Sequence, residues 1–165
     1  MAEKRRSLGL KLEMYGPFVC GVLTMILLVY FSSYIAAKFE SKDWNSAGLY
    51  SAIFGWSAIQ TGFAFGVFGF VLGKNDGFVA ALKGTKTLHR FELYIQRANW
   101  TGFVLTFVSI PLIVTEPSAG TALSSSYLVV AGWFSFFIWS FLAFLRLAYN
   151  FGAIASVKDK VFHGA

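Results

Sequence analysis

The sequence predicts an all-α integral membrane protein, a bundle of four transmembrane helices in one domain over residues 1–165. The chain is 56% hydrophobic and only 13% charged, and four of its apolar stretches are long enough to cross a hydrocarbon core about 30 Å thick. The predicted spans cover about 17–37, 50–73, 98–114 and 128–150. The alternation typical of barrel strands is absent, so helices must satisfy the backbone hydrogen bonds in lipid.

The basic residues predict the orientation of these spans. One side of the predicted membrane carries twelve of the fourteen Lys and Arg residues, whereas the other side carries only Lys38 and Lys42. Because basic loops stay in the cytoplasm, we expect both termini there, and we expect the bacterial inner membrane as the location. A cleaved signal peptide is the alternative for the N-terminus, but its apolar run of about 20 residues exceeds a typical signal core.

The second span carries a stripe of glycines. Five of them share an arc of roughly 60° at about 100° per residue, and Ala52 and Ile59 complete the same seven-residue pattern. The five are Gly55, Gly62, Gly66, Gly69 and Gly73. Small residues let helices approach closely in lipid, so the stripe predicts a helix-packing or oligomer interface. Whether it packs within a subunit or between subunits stays open at this stage.

A basic segment, residues 74–97, lies between the second and third spans. Lys83, Lys86, Arg90 and Arg97 fall within roughly 60° on a helix, which predicts an amphipathic cytoplasmic helix that continues into span three. Gly84 weakens that helix by about 1 kcal/mol relative to Ala. The basic face is interpreted either as a solvated surface resting on anionic lipid headgroups or as a docking site for a soluble acidic partner. Direct nucleic-acid binding is not expected, because no base-reading fold is present.

Few polar side chains lie inside the predicted spans. Gln60 and Thr61 sit near the middle of span two, and Gln60 points roughly 140° away from the glycine stripe. Arg146 and Asn150 lie on one face near the end of span four. Each set is a candidate for lining an oligomeric pore. The alternatives are an interhelical lock at Gln60 and an Arg146 side chain that reaches to the membrane interface.

Chemical motifs are lacking in the chain. We predict no metal, no cofactor and no enzyme activity, because no acid–base dyad, nucleophile elbow or phosphate loop is present. The single cysteine, Cys20, allows no intrachain disulfide, and we expect it to be a small buried side chain. Together with Pro17, Gly21 and Thr24 it marks a candidate close helix contact.

Two functional hypotheses follow from this architecture. The first is a small homo-oligomeric protein that forms a pore or alters permeability, or senses the membrane, under control of its basic segment. The predicted architecture resembles that of four-helix membrane effectors and sensors of bacterial anti-phage defence, without a shared motif. The second is a non-conducting accessory subunit that anchors a soluble cytoplasmic partner. A proton-coupled transporter is disfavoured because no carboxylate or histidine lies inside a span.

Overall fold

The structure is a computed structural model that describes the backbone of residues 2–73 and 77–156 and the side chains of residues 14–73, 79 and 81–156. This part of the chain is all-helical, which confirms the prediction of an all-α protein. Its helices are α1 (Ala2–Tyr30), α2 (Ser32–Glu40), α3 (Ser46–Gly73), α4 (Gly77–Leu82), α5 (Lys86–Thr115) and α6 (Ser125–Ala155). The side chains at both chain ends and at residues 74–76 are not among those described. Several of the basic residues behind the predicted orientation belong to these segments.

Three helices, α3, α5 and α6, are long and apolar enough to cross a membrane. The predicted first span is not one straight helix, because α1 and α2 meet at an angle of 72°. Four spans are reached only if this bent pair counts as one. The predicted span over 17–37 is therefore divided between α1 and α2, and the fourth span stays a prediction.

A side chain from α6 accounts for the bend. Tyr127 Oη donates a 2.6 Å hydrogen bond to the Leu28 carbonyl, the oxygen that the Ser32 amide would bond in an unbroken helix. Across the break, Phe31 N–H bonds Leu27 O and Ile35 N–H bonds Phe31 O. A side chain inserted into the helical ladder is a known cause of sharp kinks.

The basic segment is divided by a turn instead of forming one helix. Gly84 adopts a φ of +82°, a left-handed conformation that glycine takes without steric cost. Thr85 then caps α5, because its side chain accepts a hydrogen bond from the Leu88 amide. Lys83 consequently lies in the turn and not on the helix, which corrects the predicted four-residue basic face. The expectation that the segment continues into span three is confirmed, since α5 is unbroken from Lys86 to Thr115.

The contact between α3 and α5 is built on two matching seven-residue patterns. The buried positions of α3 are spaced alternately by three and four residues, and so are most of those of α5. In α3 they are Tyr50, Ile53, Ser57, Gln60, Ala64, Val67 and Val71; in α5 they are Leu88, Phe91, Ile95, Ala98, Gly102, Leu105, Ser109 and Leu112. This spacing is that of helices packed at a shallow angle with interdigitated side chains. We call this contact the inner seam.

Helix α1 packs along α6 at a close contact. A methyl group placed on Gly21 would lie 3.0 Å from Trp139 Cβ and 3.1 Å from the Ser135 carbonyl. A side chain at Gly21 would therefore press on the backbone of α6, in agreement with the close helix contact that the small residues around Gly21 indicated. The neighbouring Cys20 is exposed on the outside of α1, so the expectation that it is buried is wrong.

Gly102 is the position at which the inner seam tolerates a side chain least. A methyl group there would meet Thr61 Oγ1 at 2.8 Å and Gln60 Nε2 at 3.1 Å. We predict that Gly102→Val lowers the free energy of unfolding by about 1–3 kcal/mol, the usual cost of overpacking. Denaturation in detergent, followed by circular dichroism, measures this change.

Gly132 provides the matched control for this substitution. It lies in α6, and a methyl group added there would meet no atom of the described residues within 4 Å. Gly132→Val should leave the unfolding curve almost unchanged. Equal destabilisation by the two substitutions would contradict the assigned packing.

Candidate functional site

A layer of polar side chains crosses the middle of the bundle. Gln60 Nε2 of α3 donates 2.8 Å hydrogen bonds to the Ala98 carbonyl of α5 and to Ser140 Oγ of α6. Ser140 Oγ in turn donates to Thr101 Oγ1 at 3.0 Å. Gln60 and Ser140 are both fully buried. One amide therefore links three long helices at the same level.

More interhelical hydrogen bonds continue this layer toward the α2 end of the bundle. Thr106 Oγ1 of α5 donates to Ser57 Oγ of α3 at 2.9 Å. Three residues further along α5, Ser109 Oγ accepts a hydrogen bond from Trp133 Nε1 of α6, also at 2.9 Å. Since hydrogen bonds between helices in lipid contribute roughly 0.6–1.7 kcal/mol each, such a series fixes the register of the helices.

The polar layer separates two apolar cores. The core toward the α2 end contains Tyr50, Leu105 and Trp133 among others. The core toward the α4 end contains Val67 and Leu147 among others. Apolar packing without hydrogen bonds specifies register weakly, so the polar layer between the cores determines which residues face one another.

Gln60 and Thr61 lie inside the protomer. Gln60 is 0% exposed, and Thr61 Oγ1 donates back to the Ser57 carbonyl of its own helix at 2.8 Å. The Gln60 Oε1 atom has no hydrogen-bond partner among the described residues. Because the amide is enclosed by α5 and α6, it does not lie on an outer surface where copies of the chain could form a polar ring. Its geometry is that of an interhelical lock.

Arg146 and Asn150 also turn toward their own protomer. The Arg146 guanidinium lies 3.8 Å from the centre of the Tyr94 ring, a cation–π contact. It also donates to the Met14 carbonyl of α1 at 3.5 Å. Asn150 Nδ2 donates to the backbone carbonyl of Arg146, one turn back on the same helix, at 2.8 Å.

The four basic residues of the predicted face divide into two groups. Lys83, Lys86 and Arg90 are exposed at the α4 end of the bundle. Arg97 is partly buried, and its guanidinium donates to the Met14 carbonyl at 3.3 Å, the same carbonyl that Arg146 reaches. Arg97 thus links the middle of α1 to α5, while the other three basic residues are exposed at the surface.

The glycine stripe lies on the face of α3 that points away from the inner seam. Each of its positions follows a seam position by two residues, which is about 200° around the helix. Gly62, Gly66, Gly69 and Gly73 are exposed and Gly55 is partly so. A methyl group added to any of the five would meet no atom of the described residues within 4 Å. We call this surface, from Gly55 to Gly73, the outer glycine face.

Several residues of the polar layer were missed at the sequence level. Ser57, Thr101, Thr106 and Ser140 resemble ordinary small polar residues in apolar spans, and Gly102 lay outside the glycine stripe. The signal for Ser57 and Gly102 is the seven-residue spacing of the two inner-seam patterns, to which both belong. Thr101, Thr106 and Ser140 lie outside those patterns.

Metal-binding side chains are not grouped in the described part of the chain. Within residues 14–73, 79 and 81–156, no three His, Cys, Asp or Glu side chains lie close enough to hold a metal ion.

Comparisons with known proteins give no relative for this chain: no protein-family model, no curated protein and no solved structure matches it.

The lock between Gln60 and Ser140 is measurable as a coupling energy. We predict that Gln60→Leu and Ser140→Ala together destabilise the protein by less than the sum of the single changes. The reason is that each single change already removes the hydrogen bond between these two side chains. The expected coupling is about 0.6–1.7 kcal/mol, measured by a double-mutant cycle of unfolding in detergent.

Gln60→Leu combined with Ser135→Ala is the control cycle. Ser135 is buried on α6 but bonds its own helix, at the Ala131 carbonyl. This pair should be additive, and strictly additive effects in the Gln60–Ser140 cycle would refute the lock.

Proposed function

We propose that this chain is an integral membrane protein whose copies assemble through the outer glycine face and whose basic α4 end docks a soluble acidic partner at the cytoplasmic surface. The observation that carries the proposal is the division of α3 into two opposite faces. One face is filled by α5 and α6, and on the other a methyl group added to any of the five glycines would meet no described atom within 4 Å.

The surface of the described bundle supports insertion into lipid. Large apolar side chains are exposed on each long helix, among them Ile59 at 65%, Trp100 at 67% and Val114 at 78%. Contiguous apolar surface of this extent is unfavourable in water, whereas lipid tails solvate it well. Three helices of sufficient length and apolarity agree with the same proposal.

The outer glycine face supports assembly with a second copy. Helices in lipid gain little from burying apolar area, so association depends on close van der Waals contact. The five glycines give α3 a smooth strip from Gly55 to Gly73 on which another backbone can lie closely. A leucine or phenylalanine at those positions would serve equally well if the face met only lipid.

The α4 end supports a docking role at the cytoplasmic surface. Lys83, Lys86 and Arg90 are exposed there, and basic residues beside membrane helices favour the cytoplasmic side. The same charges attract anionic lipid headgroups and acidic protein surfaces. In this proposal the protein anchors its partner and conducts nothing itself.

A second candidate function is a change of membrane permeability by the oligomer, as in an anti-phage effector. One observation favours placing such a path between protomers: the interior of the described bundle is occupied by the polar layer and the two apolar cores. A conducting path would then run along the outer glycine faces of neighbouring copies.

Gly66 is the position that tests assembly most directly. We predict that Gly66→Leu converts the oligomer to a monomer, because the side chain would hold two α3 helices apart. Light scattering during gel filtration in mild detergent measures the mass. Gly152→Leu is the control, since Gly152 is exposed on α6 and also meets no described atom within 4 Å.

Dye-loaded liposomes separate the two candidate functions. The anchor proposal predicts no release by the reconstituted wild-type oligomer. Release that is present in wild type and lost in Gly66→Leu would instead establish the permeability function. A wild-type protein that is monomeric at all concentrations would contradict both the anchor proposal and the permeability function, because each requires an oligomer.

Charge reversal at the α4 end tests docking. Lys86→Glu with Arg90→Glu should abolish recovery of the acidic partner from solubilised membranes, because like charges then face each other. The change should leave the helical content of the protein intact. Lys38→Glu with Lys42→Glu, two changes at the opposite end, is the matched control, and equal loss in both variants would contradict the assigned surface.

A further inference from the structure

A cavity of about 630 Å³ lies at the α2 end of the bundle. It is half open and lies between the bent α1–α2 pair and the first turns of α6. Apolar side chains from α1, α2, α3 and α6 form its walls, including Leu28, Phe39, Leu49, Val130, Ala131 and Phe134. Its volume falls in the range of about 300–1,000 Å³ that is usual for small-molecule sites.

The charged and amide side chains of the lining come from one place, the loop between α2 and α3, which we call the mouth of the cavity. The loop between α2 and α3 contributes Asp43, Trp44 and Asn45 to the lining, and Lys38 Nζ lies 3.0 Å from Asp43 Oδ2. The other polar side chain of the lining is Tyr127, whose hydroxyl already donates to the Leu28 carbonyl. The cavity is therefore amphiphilic, with an apolar body and a mouth at which an acidic lining residue is paired with a lysine.

The size and chemistry of the cavity exclude a peptide as its occupant. An α-helix about 10 Å across would fill this volume with roughly 8 Å of its length, little more than one turn. An extended peptide would bring backbone amides and carbonyls into an apolar space, where each unpaired group costs several kcal/mol. A hydrocarbon chain brings no such groups.

We propose that the cavity holds one acyl chain of a membrane glycerophospholipid, whose head group lies at the Lys38–Asp43 mouth. The zwitterionic head group of phosphatidylethanolamine carries both signs of charge, as the Lys38–Asp43 pair does, and Trp44 is of the residue type that is enriched at the level of lipid head groups. The bend at Phe31, which Tyr127 imposes, opens this space between α2 and α6. This inference rests on the membrane insertion proposed above and is independent of oligomer formation and docking.

Filling the cavity tests the proposal. The full chain is reconstituted in vesicles of phosphatidylethanolamine and phosphatidylglycerol, extracted in mild detergent and analysed by native mass spectrometry for retained phospholipid. Wild type should retain about one phospholipid per protomer, the stoichiometry of a single pocket of this volume class. Ala131→Phe, which places a ring in the cavity, should lose it.

Val129→Phe is the matched control, because Val129 precedes two lining residues but is 55% exposed on the outside of α6. It should retain the lipid as wild type does. Leu49→Trp fills the cavity from α3 and decides the result if Ala131→Phe does not fold, as judged by circular dichroism.

Two outcomes would overturn the inference. One is the absence of any difference in phospholipid retention between wild type and the folded cavity-filling variant, whether both retain the lipid or neither does. The other is a wild-type protein that carries a free fatty acid or an isoprenoid in place of the phospholipid. Sedimentation of the chain with membranes after alkaline carbonate washing tests insertion separately, so failure of the cavity site and failure of membrane insertion are distinguishable.

Discussion

The inner seam between α3 and α5 is the contact on which the other features of this bundle depend. Its heptad spacing sets a shallow crossing angle, and the Gln60 amide fixes its register by bonding α5 and α6 at one level. With that register set, Gly102 lies where the Gln60 and Thr61 side chains need space. The seam also determines what is left outside, because any face of α3 that is about 200° from it must point away from the protomer.

The sequence contained enough information to predict the helical class and the approximate spans, but not which stripe of α3 is buried. Two heptad patterns run along the same helix, one marked by Gly62 and Gly66 and the other by Gln60 and Ala64. The glycines were the more visible pattern, whereas the buried one mixes polar, small and aliphatic residues. Only the matching pattern of α5 identifies the seam. The spacing of residues within one helix shows which of them share a face, but it does not identify the helix that packs against that face.

The other differences from the sequence analysis arise from contacts distant in the chain or from a single backbone conformation. No local signal around Phe31 predicts a 72° bend, because its cause is a hydrogen bond from Tyr127, 99 residues from Leu28. Gly84 was recognised as a weak point of the basic helix, yet its positive φ ends the helix altogether. The pore candidates Gln60 and Arg146 were identified as polar residues in apolar spans, but their partners within the protomer depend on the packing of α1, α5 and α6.

The central claim is that α3 uses one face to build the protomer and leaves the opposite face for a second copy. A cysteine scan along α3 in native membranes, with Cys20 replaced by serine, tests it most directly. We predict that cysteines at positions 59, 62, 66 and 69 form disulfides between copies, while those at positions 64 and 67 do not, so crosslinking follows the heptad spacing of the outer glycine face. Crosslinking that is equal at all positions, or strongest at 64 and 67, would contradict the account.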